Sequence, residues 1–235
     1  YKGLAGFYIL EDDEELALNL PSGDYEIPLV IQDRSFNSDG SFAYSGNRSG
    51  ELGDTILVNG VPQPYFEVAN RKYRFRILNG SNRRDYSLTL DNGQPLIQIG
   101  TDGGLLESPV EMDDVWMSPA YRSDVIIDFS QVPVGQSVVL QNVLGSGSTA
   151  EIMRFDVVRS ETDNSSLPAQ LTSITPLDPA DAVVTRRFTF SRRRGNWVIH
   201  GRPYDPNRTD PHPRLNPTET WAMTPRTHVN SPARL

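Results

Sequence analysis

An all-β fold, an antiparallel sandwich or barrel of short strands, is what the sequence predicts, on three observations. Apolar residues recur mostly with a period of two. Turn residues punctuate the chain at short intervals, with 18 glycines and 18 prolines among 235 residues, somewhat above ordinary usage. No stretch carries a helical pattern longer than a turn or two. Many short strands so punctuated belong to sandwiches and barrels.

Taken in order, Leu4–Leu10 predicts a strand and leads into the acidic stretch Glu11-Asp12-Asp13-Glu14-Glu15. Glu11–Leu20 is the one place where a helix is expected, stopped by Pro21. Strands then follow at Tyr25–Gln32, Thr55–Val58, Lys72–Ile77, Tyr86–Leu90, Leu96–Ile99, Val110–Met117, Asp124–Phe129, Ser137–Gln141 and Glu151–Val158. In Lys72-Tyr73-Arg74-Phe75-Arg76-Ile77 apolar residues alternate strictly with cations, which predicts a half-buried strand with one apolar and one wet face. The separating turns are Ser38-Asp39-Gly40, Asn59-Gly60, Asn79-Gly80, Asp91-Asn92-Gly93, Asp102-Gly103-Gly104 and Pro133-Val134-Gly135. Asn59-Gly60 and Asn79-Gly80 are expected to turn with positive φ at strand ends.

This divides the chain into zones. Residues 1–20 hold one strand and the acidic stretch, and 21–160 carry nearly all strands and make one domain of ordinary size. Residues 161–182, rich in Ser, Thr, Pro and Asp, read as a linker. In 183–235 the strand pattern resumes at Arg186–Phe190, Asn196–His200 and Glu219–Met223, too few to close a core. The chain starts at Tyr1 without a methionine or a signal-like segment, so a processed, trimmed or partial polypeptide is expected.

Composition excludes several classes of function. A net charge of −8 argues against nucleic acid as the main partner, because phosphate binding needs clustered cations. The one tight basic run, Arg192-Arg193-Arg194, precedes Gly195 and reads as a solvated hairpin tip. No apolar run approaches the roughly 18–20 residues of a membrane-spanning helix. Cysteine is absent, which removes disulfides, thiolate metal sites and cysteine nucleophiles from this chain.

The residues nominate no catalytic, cofactor-binding or metal-binding group. Only His200, His212 and His228 are present, none two or four residues from another, and each reads as a surface or turn histidine. Gly145-Ser-Gly147-Ser-Thr-Ala150 fits a dinucleotide fingerprint in form, but a strand pattern follows where a helix is needed, so a hairpin loop is expected. Asp113-Asp114 and the Glu11–Glu15 run read as solvated loops, the latter without calcium-loop spacing. No Gly-x-Ser-x-Gly elbow is present. Asn47, Asn79, Asn164 and Asn207 head N-glycosylation triplets, a pattern that chance supplies often.

The string Gly3-Leu-Ala-Gly-Phe-Tyr-Ile-Leu-Glu-Asp12 resembles the last strand of the first cupredoxin domain of multicopper oxidases. The resemblance continues through Tyr25-Glu-Ile-Pro-Leu-Val-Ile-Gln-Asp33, Asp54-Thr-Ile-Leu-Val-Asn-Gly60 and Arg71-Lys-Tyr-Arg-Phe-Arg-Ile-Leu-Asn-Gly80. It then takes in Ile99-Gly-Thr-Asp-Gly-Gly-Leu-Leu106 and Ser118-Pro-Ala-Tyr-Arg-Ser-Asp-Val-Ile-Ile-Asp-Phe129. These motifs look like the second domain of the laccase-like branch that includes bilirubin oxidase, the spore-coat laccase and phenoxazinone synthase. Asn196-Trp-Val-Ile-His-Gly-Arg-Pro-Tyr-Asp205 and Thr218-Glu-Thr-Trp221 resemble the opening of the third domain.

The resemblance implies a cupredoxin-like Greek-key sandwich, with one complete domain and incomplete strands of its neighbours. It also implies a parent enzyme with four coppers. One, held by a Cys and two His, takes electrons from phenolic, bilirubin-like or metal-ion donors, and a cluster held by His-x-His pairs reduces dioxygen to water. In relatives those motifs lie upstream of the segment matching Tyr1 and downstream of that matching Trp221. The position matching His200 is usually Asn, and no ligand role passes to it. Beyond Trp221, where relatives carry His-Pro-x-His-x-His, this chain reads Ala222 to Leu235 with one histidine. Truncation, a divergent or frame-shifted end, or a break would each produce that departure. The expectation is a copper-free scaffold segment whose partners are the remaining cupredoxin domains of the same protein or a second copy. Localisation by resemblance is secreted, periplasmic or spore coat. The other readings are a stand-alone, non-catalytic β-sandwich that binds a protein or ligand, and a hydrolase with two carboxylates converging in one pocket.

Overall fold

The computed structural model describes residues 4–47 and 50–226. It forms two units, Tyr1–Ser173 and Ile174–Leu235. The first opens with a short helix α1 (Asp13–Ala17) and then runs through β1 (Glu26–Phe36), β2 (Phe42–Ala43), β3 (Thr55–Val58), β4 (Val61–Pro62), β5 (Tyr65–Ala69) and β6 (Lys72–Asn79). It continues with β7 (Tyr86–Leu90), β8 (Leu96–Thr101), β9 (Gly104–Met112), β10 (Val115–Met117), β11 (Arg122–Asp128), β12 (Ser137–Asn142) and β13 (Glu151–Arg159). One sheet has the order β4-β3-β1-β6-β11-β8-β9, with β2 paired to β1, and the facing sheet has the order β10-β7-β12-β13-β5.

Most of the expected strands are present, and the period of two has the expected cause. Tyr73, Phe75 and Ile77 of β6 and Val125 and Ile127 of β11 point inward and meet Leu88, Leu140, Phe155 and Val157 of the facing sheet, all buried. Phe75 and Phe155 pack with ring centroids 5.0 Å apart, Phe129 and Phe155 at 5.2 Å. Each such side chain contributes about 1.5–3 kcal/mol by leaving water.

Several expectations are corrected. The sheets are mixed, with β1 parallel to β6 and β13 parallel to β5, where an antiparallel arrangement was expected. Parallel neighbours need a long crossover, and the 35 residues between β1 and β6 supply one; strand periodicity carries no sign of which neighbour a strand takes. Val110–Met117 is not one strand. The chain breaks at Asp113-Asp114 and passes from the first sheet to the second. Leu4–Leu10 forms no strand, because no neighbouring strand pairs with it among the described residues and a lone extended segment has no ladder to join. Its Leu4 and Tyr8 remain 91% and 90% exposed. The helix is shorter than Glu11–Leu20. Asp12 caps it, with Oδ1 accepting from the Glu15 N–H at 2.8 Å, and the left-handed Asn19 (φ 54°) ends it two residues before Pro21.

Asn59 and Gly60 turn with φ of 50° and 82° between β3 and β4, as expected of a hairpin. Gly80 does not have a positive φ. A Cβ there would lie 2.9 Å from Val30 Cγ1, so glycine is required by close approach to β1.

The second unit is a small sheet of β14 (Val184–Arg193), β15 (Asn196–Ile199) and β16 (Glu219–Pro225), ordered β15-β14-β16. Strand β16 runs parallel to β14, and Arg186 reaches both carboxylate oxygens of Glu219, at 2.6 and 2.8 Å. No helix among the described residues is long and apolar enough to cross a membrane.

Candidate functional site

Among the described residues the largest polar constellation of the first unit lies on the outer face of the β1-β6-β11 sheet. Strand alternation points Arg74 and Arg76 of β6 and Asp124 of β11 to this face, and α1 lies close enough for Glu15 to reach both arginines. Arg74 Nε is 3.0 Å from each oxygen of Asp124, and its Nη1 donates to Glu15 Oε1 at 2.8 Å. Arg76 Nη2 donates to the same Glu15 oxygen and its Nε to Glu26, both at 2.5 Å. Glu11 completes the group at 3.5 Å from Arg76. The Arg74 side chain retains 3% exposure. This face is therefore not the wet one expected of the cations, and Glu15 is not in a solvated loop. The covering segment comes from far earlier in the chain, and alternation within β6 cannot reveal it. Asp113 and Asp114 do lie exposed.

Burial disfavours the Arg74 charge, but its hydrogen bonds and attraction to Asp124 and Glu15 outweigh that and raise its pKa further. Burial also pushes the Asp124 carboxyl up from its ordinary value, against the pull of Arg74. Among the described residues Glu11, Glu15 and Glu26 are the only group of three or more His, Cys, Asp or Glu side chains whose ligand atoms lie together, all within 4.8 Å. The donors are oxygen alone and are engaged by two guanidinium groups, a set that does not fit a metal calling for imidazole and thiolate.

The described histidines, His200 and His212, belong to the second unit. His200 ends the β14–β15 hairpin with φ of 54° and its ring 5.8 Å from Phe188, and His212 is exposed. His228 lies outside the described residues. Arg194 and Gly195 make the hairpin tip with positive φ, and Arg192 stands over the Trp197 ring at 4.9 Å. Gly145–Ala150 is the loop from β12 to β13. Its turn is a single 3-10 segment, Gly147–Thr149, with no helix behind it.

A cleft of about 550 Å³ opens beside the residue 79–82 and 119–122 loops, walled by the segment around Phe7. No histidine or carboxylate lines it. Most of its lining comes from three of the quoted strings, those of residues 3–12, 71–80 and 118–129, which lie far apart in the sequence. Its floor is held by Asn79, 1% exposed, whose Nδ2 donates to the carbonyls of Arg84 and Met117 at 2.8 and 2.9 Å while Oδ1 accepts from the Ser81 N–H. So placed, Asn79 has no room for a glycan. Ser166, third residue of the Asn164 triplet, donates its hydroxyl to the Leu18 carbonyl at 2.6 Å. Asn207 is exposed, and the Asn47 triplet extends into residues outside the described ones.

A model of the multicopper oxidase family matches residues 7–157 of this chain. A laccase of Bacillus subtilis (strain 168) is 38% identical over 265 aligned positions, covering 100% of this chain and 50% of that protein. A bilirubin oxidase of Albifimbria verrucaria is 35% identical, covering 86% and 38%. Among solved structures, the McoA multicopper oxidase of the hyperthermophile Aquifex aeolicus superposes with a TM-score of 0.74 at 36% identity, covering 82% of this chain and 45% of that one. The laccase of Pediococcus acidilactici Pa5930 superposes at 0.82 with 32% identity, covering 91% and 46%. The chain spans about half the length of the curated relatives it matches.

Proposed function

This chain belongs to the multicopper oxidase family, and from that premise we propose that it is the copper-free scaffold segment of a laccase-like oxidase. In this reading the whole protein takes single electrons from phenolic, bilirubin-like or metal-ion donors and passes them to dioxygen. The branch is that of laccase and bilirubin oxidase, in keeping with the relatives of those names. Residues 21–160 are the second cupredoxin domain, 1–20 the end of the first and 183–235 the opening of the third. The partners are the remaining cupredoxin domains of the same protein or a second copy, and the location is the cell exterior, periplasm or spore coat.

One observation carries the reading: a family fold without the donor set that copper needs. The chain has no cysteine. Among the described residues no histidine joins a group of three or more ligand side chains, and the one close carboxylate group is taken up by Arg74 and Arg76. Copper, where the parent holds it, supplies one-electron transfer, and no residue of this chain is assigned as its ligand. What these residues supply is a rigid sandwich and apolar surface. Leu4, Tyr8 and Leu10, exposed in the first unit, and Trp197, 51% exposed in the second, suit burial against further domains.

Titrating the purified chain with copper(II), followed by a chelator wash and visible spectroscopy, tests this. The expected result is no intense charge-transfer band and no copper retained. A tightly held stoichiometric copper overturns the proposal. Light scattering with an apolar dye checks the second element: dye binding and self-association are expected, and a dye-silent monomer favours a stand-alone binding module.

A further inference from the structure

The segment 161–173 contains no helix or strand, and its composition is that of a linker. Its contacts are not. Asp163 accepts hydrogen bonds from Arg71 Nη2 at 3.0 Å, Lys72 Nζ at 2.9 Å and the Lys72 backbone N–H at 3.2 Å, fastening it to the start of β6. Three residues on, the Ser166 N–H donates to the Asn19 carbonyl at 2.8 Å and its hydroxyl to the Leu18 carbonyl at 2.6 Å. Asn19 returns a bond, from Nδ2 to the Asn164 carbonyl at 2.8 Å. Leu167 and Leu171 then enter a second, small core on the outer face with Leu18, Leu20, Ile99 and Ile126. The Leu171 N–H donates to the Glu107 carbonyl at 2.8 Å, on the edge strand β9.

We propose that residues 161–171 are a strap that ties the chain leaving the sandwich to the chain arriving at it, fixing both on one sheet face. The tie needs Asn19 in its left-handed conformation, which turns the Leu18 and Asn19 carbonyls towards Ser166, and the αL region tolerates Asn better than most residues. Fastening at three separated points (Asp163, Ser166, Leu171) is the opposite of a flexible tether, whose ends wander with the square root of its length. Ser166 and Asn19 are thus positioning residues. The strap goes beyond the scaffold reading, and it stands whether or not the chain binds copper.

The chain's lack of cysteine allows a direct test. Spin labels on Glu14→Cys and Gln170→Cys, both exposed positions, report the separation of the two segments by pulsed electron resonance. The expected result is one narrow distance distribution, broadened at least about twofold by adding Asn19→Val, whose branched side chain resists the left-handed conformation, and Ser166→Ala, with near-ultraviolet dichroism unchanged. A distribution already broad without those changes, or unaltered by them, overturns the strap. Should the double variant fail to fold, amide exchange of the unaltered chain decides. Ser166 and Leu171 N–H groups exchanging at least about a hundredfold slower than in an unstructured peptide support the strap, and exchange at the peptide's rate overturns it.

Discussion

Arg74 and Asp124 meet across the β6–β11 pair through a fork of hydrogen bonds, Nε at 3.0 Å from both carboxylate oxygens and Nη2 at 2.5 Å from Oδ2. The pair is antiparallel and in unbroken register, with Asp124 set opposite Arg76. The fork therefore reaches diagonally, and Arg76 turns to Glu26 and Glu15.

Removing Asp124 takes away the closest partner of Arg74 in a place that water barely reaches, and leaves the guanidinium with Glu15 and Glu26 alone. Asp124→Ala is expected to destabilise the first unit by about 3–5 kcal/mol, whereas Arg74→Met with Asp124→Leu loses far less, because no buried charge is left without its partner. Urea unfolding of both variants measures this. A cost below about 1 kcal/mol for Asp124→Ala contradicts the pairing.

Gly53 lies against the Arg34 backbone so closely that a Cβ would fall 2.3 Å from the Arg34 nitrogen. Gly53→Ala must displace β1 and is expected to cost at least about 2 kcal/mol. Gly103→Ala, with open space around it, serves as the control and is expected to change the thermal midpoint little. Parallel thermal melts compare the two.

Asn79 satisfies three backbone groups with one amide, and Asn79→Ala leaves the Ser81 N–H and the Arg84 and Met117 carbonyls without it. The expected loss is at least about 2 kcal/mol, with faster amide exchange in the residue 79–84 loop, readable by mass spectrometry.

Burial opposes the charge on Asp163, but hydrogen bonds from Ser165 and Lys72 outweigh it and hold the carboxyl well below the usual range. A folded pKa below the unfolded value of about 3.9 gives stability that is present above that value and is lost as pH falls towards the folded one. The stability gap between the unaltered chain and Asp163→Asn is therefore expected to be flat from about pH 5 to 8 and to shrink below about pH 4. Chemical denaturation across that range measures it, and a gap that grows on acidification runs against the assignment.

The alternation of Tyr73, Phe75 and Ile77 with cations was enough to place β6 and its inward face, since strand periodicity is written in adjacent residues. Tyr65–Ala69 carries no such pattern. It is a five-residue edge strand with two buried positions, and only its parallel pairing with β13 makes it a strand. The negative reading of the histidines rested on their spacing and their turn-forming neighbours, and for His200 and His212 the structure adds where each sits. The carboxylates were not legible in the same way. Glu15 sits in the same acidic run as Asp13 and Glu14, and nothing local marks it as the one that reaches Arg74 and Arg76.

The sequence by itself determined the β-rich fold class, the inward faces of the principal strands, the family resemblance and the absence of thiol ligands. Only the tertiary structure decided that Arg74 is buried, that Asn79 is a structural keystone and that the Ser/Pro-rich segment is fastened down. The reason is range. Side-chain alternation and turn chemistry act between neighbours in the chain, whereas Arg74 meets Glu15 across 59 residues and Ser166 meets Leu18 across 148. Whether a charge finds water or another charge is settled by segments that pattern alone does not bring together.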